Sequence, residues 1–278
     1  MRLLYTLFTL AVGGYGLFWL AEKNPDLKQK VEELLDFRKT PALEMRYDAT
    51  QVMETHQSKL LKERGMRFLT PELKFYPHLL LEVKYCDAFQ QTKEGWILWD
   101  LTDGEMVLDS KTWEKTHGFA DCILTNTLRH EFKILHILAE FGGMCDQQTL
   151  MESLGFDKPV MDALVKGCIK KNLIVQTESG LRLHLDHPKL AVIPETKLYE
   201  PLTSKIHKRA ERAERHFSKG QIERIVQMAF GESFSIRSTT QIYLPVHRLV
   251  IQKQDGSVYT AHFNALTGKE LPTATFYR

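Results

Sequence analysis

The sequence lacks the short motifs by which common enzyme classes are recognised. It has no Gly-x-Ser-x-Gly turn, no phosphate-binding loop and no dinucleotide fingerprint. His130-Glu131 followed by His136 comes near a zinc-protease signature, but this spacing does not put both imidazoles on one helix face. His184 and His187 have no cysteine or carboxylate cluster beside them to complete a metal site. We therefore expect a protein that is not an enzyme and that uses no metal or other cofactor.

Cysteine and net charge are also scarce. The four cysteines form no CxxC pair and no regular framework, which argues against a disulfide scaffold or a zinc site. The 37 Lys and Arg against 35 Asp and Glu leave a formal net charge of +2. This balance indicates neither a nucleic-acid partner nor an acidic one. The 278 residues are enough for two or three small domains with a substantial core.

One long segment has no charged residue at all. Residues 3–21 would span about 30 Å as a helix, which is the thickness of a hydrocarbon core. Tyr5 and Trp19, near its two ends, suit an aromatic belt. A cleaved signal peptide is the alternative, but it would need a longer basic start and a small-x-small cleavage site. We predict a retained single-pass anchor in the cell (inner) membrane.

Basic residues after this segment set its predicted orientation. Five Lys or Arg lie between positions 23 and 39, whereas only Arg2 and the terminal amine precede the segment. The positive-inside rule then places the bulk of the chain in the cytoplasm. An extracytoplasmic location stays open, because a short basic start often remains inside too.

Residues 125–185 give the clearest local pattern. A helical stretch ends at the glycine pair 142–143, Asp146 caps a second helix, and a third follows Asp157 with a proline in its first turn. Two strand-like runs then surround a turn between positions 173 and 185. Three short helices closed by a hairpin resemble the winged-helix family, and the resemblance implies such a domain over 122–187.

Many winged helices bind DNA through the first half of the third helix. Here that half exposes Lys158 and Asp162 but no Arg, Asn or Gln to pair with base edges. Acidic and basic residues also balance across the module, so it lacks the footprint that phosphate binding needs. A protein-contacting module is favoured. Nucleic-acid binding remains the alternative, through Lys158, Lys166, Lys170 and Arg182.

The stretches on either side of this module share one pattern. Each has a capped helix, a Gly-x-x-Phe step, a strand entered through Tyr and Pro, a hairpin, and an Asp or Asn four residues before a Gly. The last feature predicts a tight turn with positive φ. The landmarks are Asp48, Gly65, Pro77, Asp100 and Gly104 in the first copy, and Ser218, Gly231, Pro245, Asn264 and Gly268 in the second.

The second copy, from Ser218 to Pro272, resembles the PepSY family of small α+β domains. The resemblance rests on Asp255-Gly-Ser-Val-Tyr and on Asn264-Ala-Leu-Thr-Gly-Lys-Glu-Leu. It is weaker in the first copy, where Asp103 stands in place of the threonine and the hairpin loop, from Cys86 to Glu94, is longer. PepSY-like domains are usually membrane-linked or extracytoplasmic binding modules, with peptidase inhibition proposed for some. A third hypothesis is therefore an extracytoplasmic peptidase-inhibitory or ligand-binding protein.

Residues 188–217 are predicted to be a linker followed by a basic helix from Ser204. The helix would present Lys208, Arg209, Arg212 and Arg215 as a candidate contact for phosphate.

The sequence thus predicts an α+β chain with an N-terminal transmembrane helix and two PepSY-like helix-plus-antiparallel-sheet units flanking a winged-helix domain. The segments are an anchor (1–22), a helical stalk and connector (23–47), the first PepSY-like unit (48–121), the winged helix (122–187), the linker and basic helix (188–217), and the second unit (218–278).

The leading hypothesis is a membrane-anchored, non-enzymatic protein-binding or assembly module. The alternative is a membrane-tethered nucleic-acid-binding regulator. Trp96 and Trp99 are candidate contacts, because large aromatic residues anchor interfaces, with core packing as the other interpretation. The predicted partners are the membrane, through residues 3–21, and a protein. Nucleic acid is less favoured, and a second copy of the chain stays open.

Overall fold

The computed structural model describes residues 41–87, 89–185, 187–199, 203–205 and 210–272. The apolar segment 3–21 and the predicted stalk up to residue 40 lie outside this part of the chain. Within it, no helix has the length and apolar character needed to cross a bilayer. The described chain is α+β, which confirms the predicted fold class.

Six helices and fourteen strands are described, numbered here in chain order. The helices are α1 (Ala49–Leu60), α2 (Phe119–Leu124), α3 (Arg129–Glu140), α4 (Gln147–Leu154), α5 (Lys158–Lys170) and α6 (Lys219–Phe230). The strands are β1 (Pro41–Leu43), β2 (Arg67–Phe68), β3 (Glu72–Cys86), β4 (Thr92–Asp100), β5 (Met106–Asp109), β6 (Glu114–Lys115), β7 (Met144–Cys145), β8 (Ile174–Thr177), β9 (Gly180–Leu183), β10 (Thr203–Lys205), β11 (Glu211–Arg212), β12 (Ser235–Gln252), β13 (Val258–Asn264) and β14 (Glu270–Leu271).

The large sheet is built around two long antiparallel strands, β3 and β12, which pair from Phe75↔Pro245 to Lys84↔Ser235. Each of them also forms a hairpin with the strand that follows it, β3 with β4 and β12 with β13. The loop between β3 and β4 covers residues 87–91, so it is shorter than the sequence predicted. β5 and β6 extend the sheet beyond β4, and β14 extends it beyond β13.

The two copies of the repeat are related by a local two-fold axis. Tyr76 precedes Pro77 and pairs directly with Leu244, which precedes Pro245. Each residue of this pair is therefore the counterpart of the other. Directly opposed residues on antiparallel strands are related by a two-fold axis perpendicular to the sheet, so the axis passes through this pair.

The repeat begins earlier than the sequence indicated. β1 pairs in parallel with β12 at Ala42↔Tyr243, and β11 pairs in parallel with β3 at Phe75↔Arg212. In both copies a short leading strand thus precedes the capped helix and joins the long strand of the other copy. β1 and β11 thus precede the helices at which the sequence prediction starts the two units, at 48 and 218.

The predicted basic helix from Ser204 is wrong. β10 pairs with β1 and β11 pairs with β3, so hydrogen bonding to the sheet overrides the helical pattern of the local sequence. Arg212 lies in β11, with its guanidinium 5.2 Å from the Tyr243 ring centroid. Arg215 lies in non-helical chain. Lys208 and Arg209 lie outside the described residues.

The helices are exchanged in the same way as the leading strands. Val52 of α1 shares a core with Leu249 and Phe263 of the second hairpin, and the His56 ring lies 4.6 Å from that of Phe263. Ile222 of α6 shares its core with the first hairpin. Each helix therefore covers the hairpin of the other copy. Asp48 and Ser218 cap the two helices through capping boxes, as the sequence predicted.

The inserted module comprises three helices, α3 to α5, and the hairpin β8–β9. Asp146 caps α4 by accepting a hydrogen bond from the Thr149 amide at 2.9 Å, and Gly155 ends the helix at φ +64°. β7 pairs with β9 as a third strand. The position of each of these helices and of the hairpin agrees with the sequence pattern.

The inserted module shares one core with the first hairpin and is not packed independently. Trp99 of β4 meets Phe119 of α2 edge-on at 5.1 Å, and Phe119 stacks on Phe132 of α3 at 5.7 Å. Trp99 has no exposed surface. It is therefore a core residue, and its prediction as a partner contact is wrong.

The turns that close the two copies are held by equivalent hydrogen bonds. The Leu101 carbonyl accepts from the backbone amides of residues 216–217, at 2.9 and 3.0 Å. The Ala265 carbonyl accepts from the amides of residues 46–47, both at 2.9 Å. Each turn is thereby fixed to the segment that precedes the helix of the other copy.

An aromatic ring covers the glycine of each turn. Gly104 has φ +78°, and a Cβ built on it would lie 2.7 Å from the Phe217 ring. Gly268 has φ +69°, and its Cβ would lie 3.1 Å from the Tyr47 ring. Both the backbone conformation and the close ring therefore require glycine at these positions.

We expect Gly104→Ala to lower the free energy of unfolding by about 2–4 kcal/mol and Gly268→Ala by ~1–2 kcal/mol. Left-handed backbone costs a non-glycine residue about 1–2 kcal/mol, and the closer ring at Gly104 adds an overpacking penalty. Urea denaturation followed by circular dichroism measures both. Gly220→Ala in α6 is the control, because its Cβ would meet nothing within 4 Å. Equal stability of all three variants would contradict this account of the turns.

Candidate functional site

An open groove of about 970 Å³ lies on the inserted module. One wall is the glycine pair 142–143 that ends α3, followed by Met144 of β7. The other wall is the end of β9 and the chain after it, with Arg182, His184 and His187.

The glycine pair gives the groove its open wall. Gly142 and Gly143 have φ +74° and +96°, and a Cβ on either would meet nothing within 4 Å. The Gly143 amide donates to the Leu138 carbonyl at 2.7 Å and so closes the end of α3. Its carbonyl accepts from the Leu183 amide at 2.8 Å, which holds β9 alongside. The groove is therefore fixed by backbone hydrogen bonds and has no side chain in front of the glycines.

The groove combines exposed apolar side chains with positive charge. Met144 in its wall is 41% exposed, and Phe141, next to the glycine pair, is 53% exposed. Arg182 and two histidines line the groove, and the described part of its lining contains no carboxylate. Large exposed apolar residues beside a cation are typical of surfaces that bind other proteins.

Of the predicted contact residues that the structure describes, Arg182 alone lines the groove. Lys158, Lys166 and Lys170 lie on one exposed stripe of α5, at intervals of eight and four residues. Asp162 lies within the same stripe and accepts a hydrogen bond from the Gln147 side chain at 2.5 Å.

The sequence prediction and the structure differ in which residues lie at the candidate site. Trp96 is 39% exposed on β4 but is not a lining residue of the groove. Phe141 and Met144 were not singled out, although the Gly-Gly pair between two large apolar residues was a usable signal. His184 and His187 were considered only as metal ligands.

A cluster of buried charged residues, separate from the groove, lies in the first copy beside its closing turn. Lys115 Nζ donates to Asp100 Oδ2 at 2.5 Å and to Asp103 Oδ2 at 2.6 Å. His78 Nε2 lies 3.5 Å from Asp100 Oδ2. In the second copy Asn264 takes the place of Asp100 and Thr267 that of Asp103, so this pair of aspartates is particular to the first copy.

The charges in this cluster hold one another in place. Burial lowers the pKa of the His78 imidazole, which favours its neutral form. Burial opposes charge on Asp100 too, but the Lys115 ammonium beside it holds the pKa of that carboxyl well below its usual range. Burial and the charge of Asp100 raise the pKa of Asp103. A lysine paired with two carboxylates is a poor base or nucleophile, so the arrangement is suited to fixing the turn.

A buried carboxylate joins this turn to the insert. Glu105 accepts hydrogen bonds from the amides of Gly118 and Ala120, at 2.9 and 3.1 Å, and from the Thr116 hydroxyl at 2.7 Å. These amides lie at the start of α2. Burial raises the pKa of Glu105 to about 7 in spite of these donors.

Among the residues that the structure describes, no group of three or more His, Cys, Asp or Glu side chains could hold a metal ion. Comparison with protein-family models, curated proteins and solved structures gives no match for this chain.

We expect Lys115→Met to lower the free energy of unfolding by about 3–5 kcal/mol at neutral pH, because it leaves two buried carboxylates without their cation. Without the ammonium, burial raises the folded-state pKa of these carboxyls above the unfolded value. The deficit should therefore be largest at high pH and shrink as the pH falls from 8 towards 5. Denaturation at both pH values measures this difference.

Lys189→Met is the matched control for this experiment. It removes an exposed lysine that pairs with Glu114, and such pairs contribute about 0–1 kcal/mol. A Lys115→Met deficit that is equally small, or that grows as the pH falls, would contradict the interpretation of the cluster.

Proposed function

We propose that this chain is a membrane-anchored, non-enzymatic protein-binding or assembly module, and that the groove on the inserted module receives a segment of a partner protein. The observation that carries the proposal is the groove itself. It is lined by the glycine pair and by exposed Met144, and exposed Phe141 directly precedes the pair in the chain.

The apolar side chains supply the binding energy in this proposal. Phe141 and Met144 expose about half and two-fifths of their surface respectively. Covering apolar surface contributes ~25 cal/mol per Å² removed from water, and methionine adapts its shape to the side chain that covers it. The partner segment therefore carries at least one large apolar side chain.

The charges of the groove define the second property of the partner. Arg182 lines the groove, and no carboxylate is found among the lining residues that the structure describes. An acidic side chain on the partner supplies the complementary charge, and such complementarity contributes mainly to specificity and to the rate of association. The proposed occupant is therefore an acidic, partly apolar segment of another protein.

The membrane anchor belongs to the same proposal. Residues 3–21 hold the chain in the inner membrane, and the basic residues that follow keep the described part in the cytoplasm. The likeness of the insert to winged helices and of its flanks to PepSY domains supports a binding role rather than a catalytic one.

Photo-crosslinking in cells tests the groove. A photoreactive amino acid at position 141 of the full-length chain should give one discrete adduct with a partner protein. Arg182→Glu in the same chain should remove that adduct, because it replaces the complementary charge. Val258 on β13 is 56% exposed and is the control position, which should not give the adduct. The same adduct from both positions would refute the groove as the binding site.

Nucleic-acid binding is the other outcome of interest. The stripe of Lys158, Lys166 and Lys170 would then carry the contact, and the full chain in detergent would bind duplex DNA with an affinity that falls steeply with salt. A steep salt slope that disappears in a Lys166→Glu, Lys170→Glu variant would replace the protein-binding proposal by the regulator hypothesis.

The orientation can be tested at the C-terminus. A fusion of alkaline phosphatase to Arg278 should be inactive and a fusion of green fluorescent protein should fluoresce, because the proposed location is cytoplasmic. The reverse pattern would favour the extracytoplasmic, PepSY-type hypothesis. Removal of residues 1–22 from the fluorescent fusion is the control, and it should release the protein from the membrane fraction.

A further inference from the structure

We infer that the partner segment binds as an added β-strand on the free edge of β7, with an acidic side chain beside Arg182. This inference rests on the proposed function and specifies how the groove recognises its occupant.

The hydrogen-bond pattern of the small sheet leaves one residue of β7 facing outward. The sheet has the order β7-β9-β8, so β7 is an edge. The Leu183 amide bonds to the Gly143 carbonyl, and the next pair along is Met144↔Arg182. In an antiparallel ladder, hydrogen-bonded and non-hydrogen-bonded pairs alternate. Met144 therefore directs its N–H and its C=O away from β9, towards the free edge.

The hydrogen bonds on the other side of β9, towards β8, agree with this alternation. Arg182 pairs with Val175 of β8. Two residues after Arg182, just beyond the end of β9, the His184 amide donates to the Leu173 carbonyl at 2.9 Å. The amide of Arg182 thus points towards β8 and not towards Met144.

The approach to this edge is open. The two residues that precede Met144 are glycines whose Cβ atoms would meet nothing within 4 Å. A strand laid beside β7 thus meets no side chain at these two glycine positions. Natural edge strands are usually protected by length, charge or a covering loop, and β7 is an edge of only two residues.

The side chains around the edge set the pattern of the added strand. Successive residues of a strand point to opposite faces. Met144 and Arg182 are directly opposed on β7 and β9, so their side chains lie on the same face of the small sheet. The added strand therefore carries its apolar and its acidic residue on that one face, two positions apart, so that one covers Met144 and the other pairs with Arg182. Strand addition takes its affinity from main-chain hydrogen bonds and its specificity from such alternate side chains.

A synthetic peptide that repeats Val-Ser-Glu-Ser is the probe, because it places valine and glutamate on one face of a strand. Titrated into the full chain in detergent and followed by fluorescence anisotropy, it should bind more tightly than a peptide that repeats Val-Ser-Lys-Ser. Met144→Pro removes the outward N–H but no hydrogen bond within the small sheet, because that amide faces away from β9. We expect this variant to bind the peptide about tenfold more weakly than Met144→Ser, which keeps the amide.

Peptides methylated on alternate backbone nitrogens provide a second measurement that does not depend on folding of a variant. Methylation in one register should abolish binding and in the other register leave it unchanged, since only one set of amides faces β7. Equal binding by Met144→Pro and Met144→Ser, or equal binding in both methylation registers, would overturn strand addition. The absence of any adduct from position 141 in a chain with no other change would instead refute the proposed function. The two failures are therefore distinguishable.

Discussion

The pairing of β3 with β12 is the interaction on which the rest of the described fold depends. Because Tyr76 and Leu244 lie opposite one another, both copies contribute equally to one continuous sheet. The leading strand and helix of each copy are then added to the other copy. A copy separated from its partner would lose its helix, its leading strand and the hydrogen bonds that fix its closing turn. The two repeats consequently form one cooperative unit.

This exchange explains why a long insert between the copies is tolerated. The chain leaves the first copy after β6 and returns at β11, which lies next to β3. The ends of the insert are thus held close together by the sheet, and the entropic cost of closing a longer connection grows only with the logarithm of its length. Trp99, Phe119 and Phe132 then join the insert to the sheet through a chain of aromatic contacts. The insert is held as a rigid extension of the first hairpin.

The difference between the copies also follows from the insert. The second copy has Asn264 and Thr267 where the first has Asp100 and Asp103, and its closing turn needs only backbone and amide hydrogen bonds. The first turn must in addition hold β6, from which the insert continues. Lys115 lies on β6 and bonds to both aspartates, so the ion cluster fixes β6 to the turn. Glu105 extends the connection to the start of α2. The buried charges therefore lie where the repeat and the insert meet.

Local interactions made part of this fold predictable from the sequence. Asp48, Ser218 and Asp146 cap helices within three residues of themselves, and Gly104 and Gly268 close turns whose geometry excludes other residues. The leading strands were not predictable in this way, because β1 and β11 have no partner within their own copy. The run containing Arg212 has helical spacing, but its backbone hydrogen bonds are satisfied by a strand more than a hundred positions away in the sequence. Trp99 was ambiguous for the same reason, since its burial depends on rings in the insert.

The location of the candidate site follows from what the repeat leaves unused. In the described chain β3 pairs with β12 on one side and with β4 and β11 on the other. β12 gains a partner on its second side only from Tyr243 onward, and the helices cover the opposite copies. The insert contributes its apolar helix faces to the common core, but its small sheet ends at β7, which has a partner on one side only. The glycine pair that stops α3 also prevents any side chain from covering that edge. A sequence change that lengthened α3 or filled the glycine positions would close the edge without disturbing the repeat. The open groove is therefore a property of a few residues at one helix end, and the rigid two-fold sheet fixes its position.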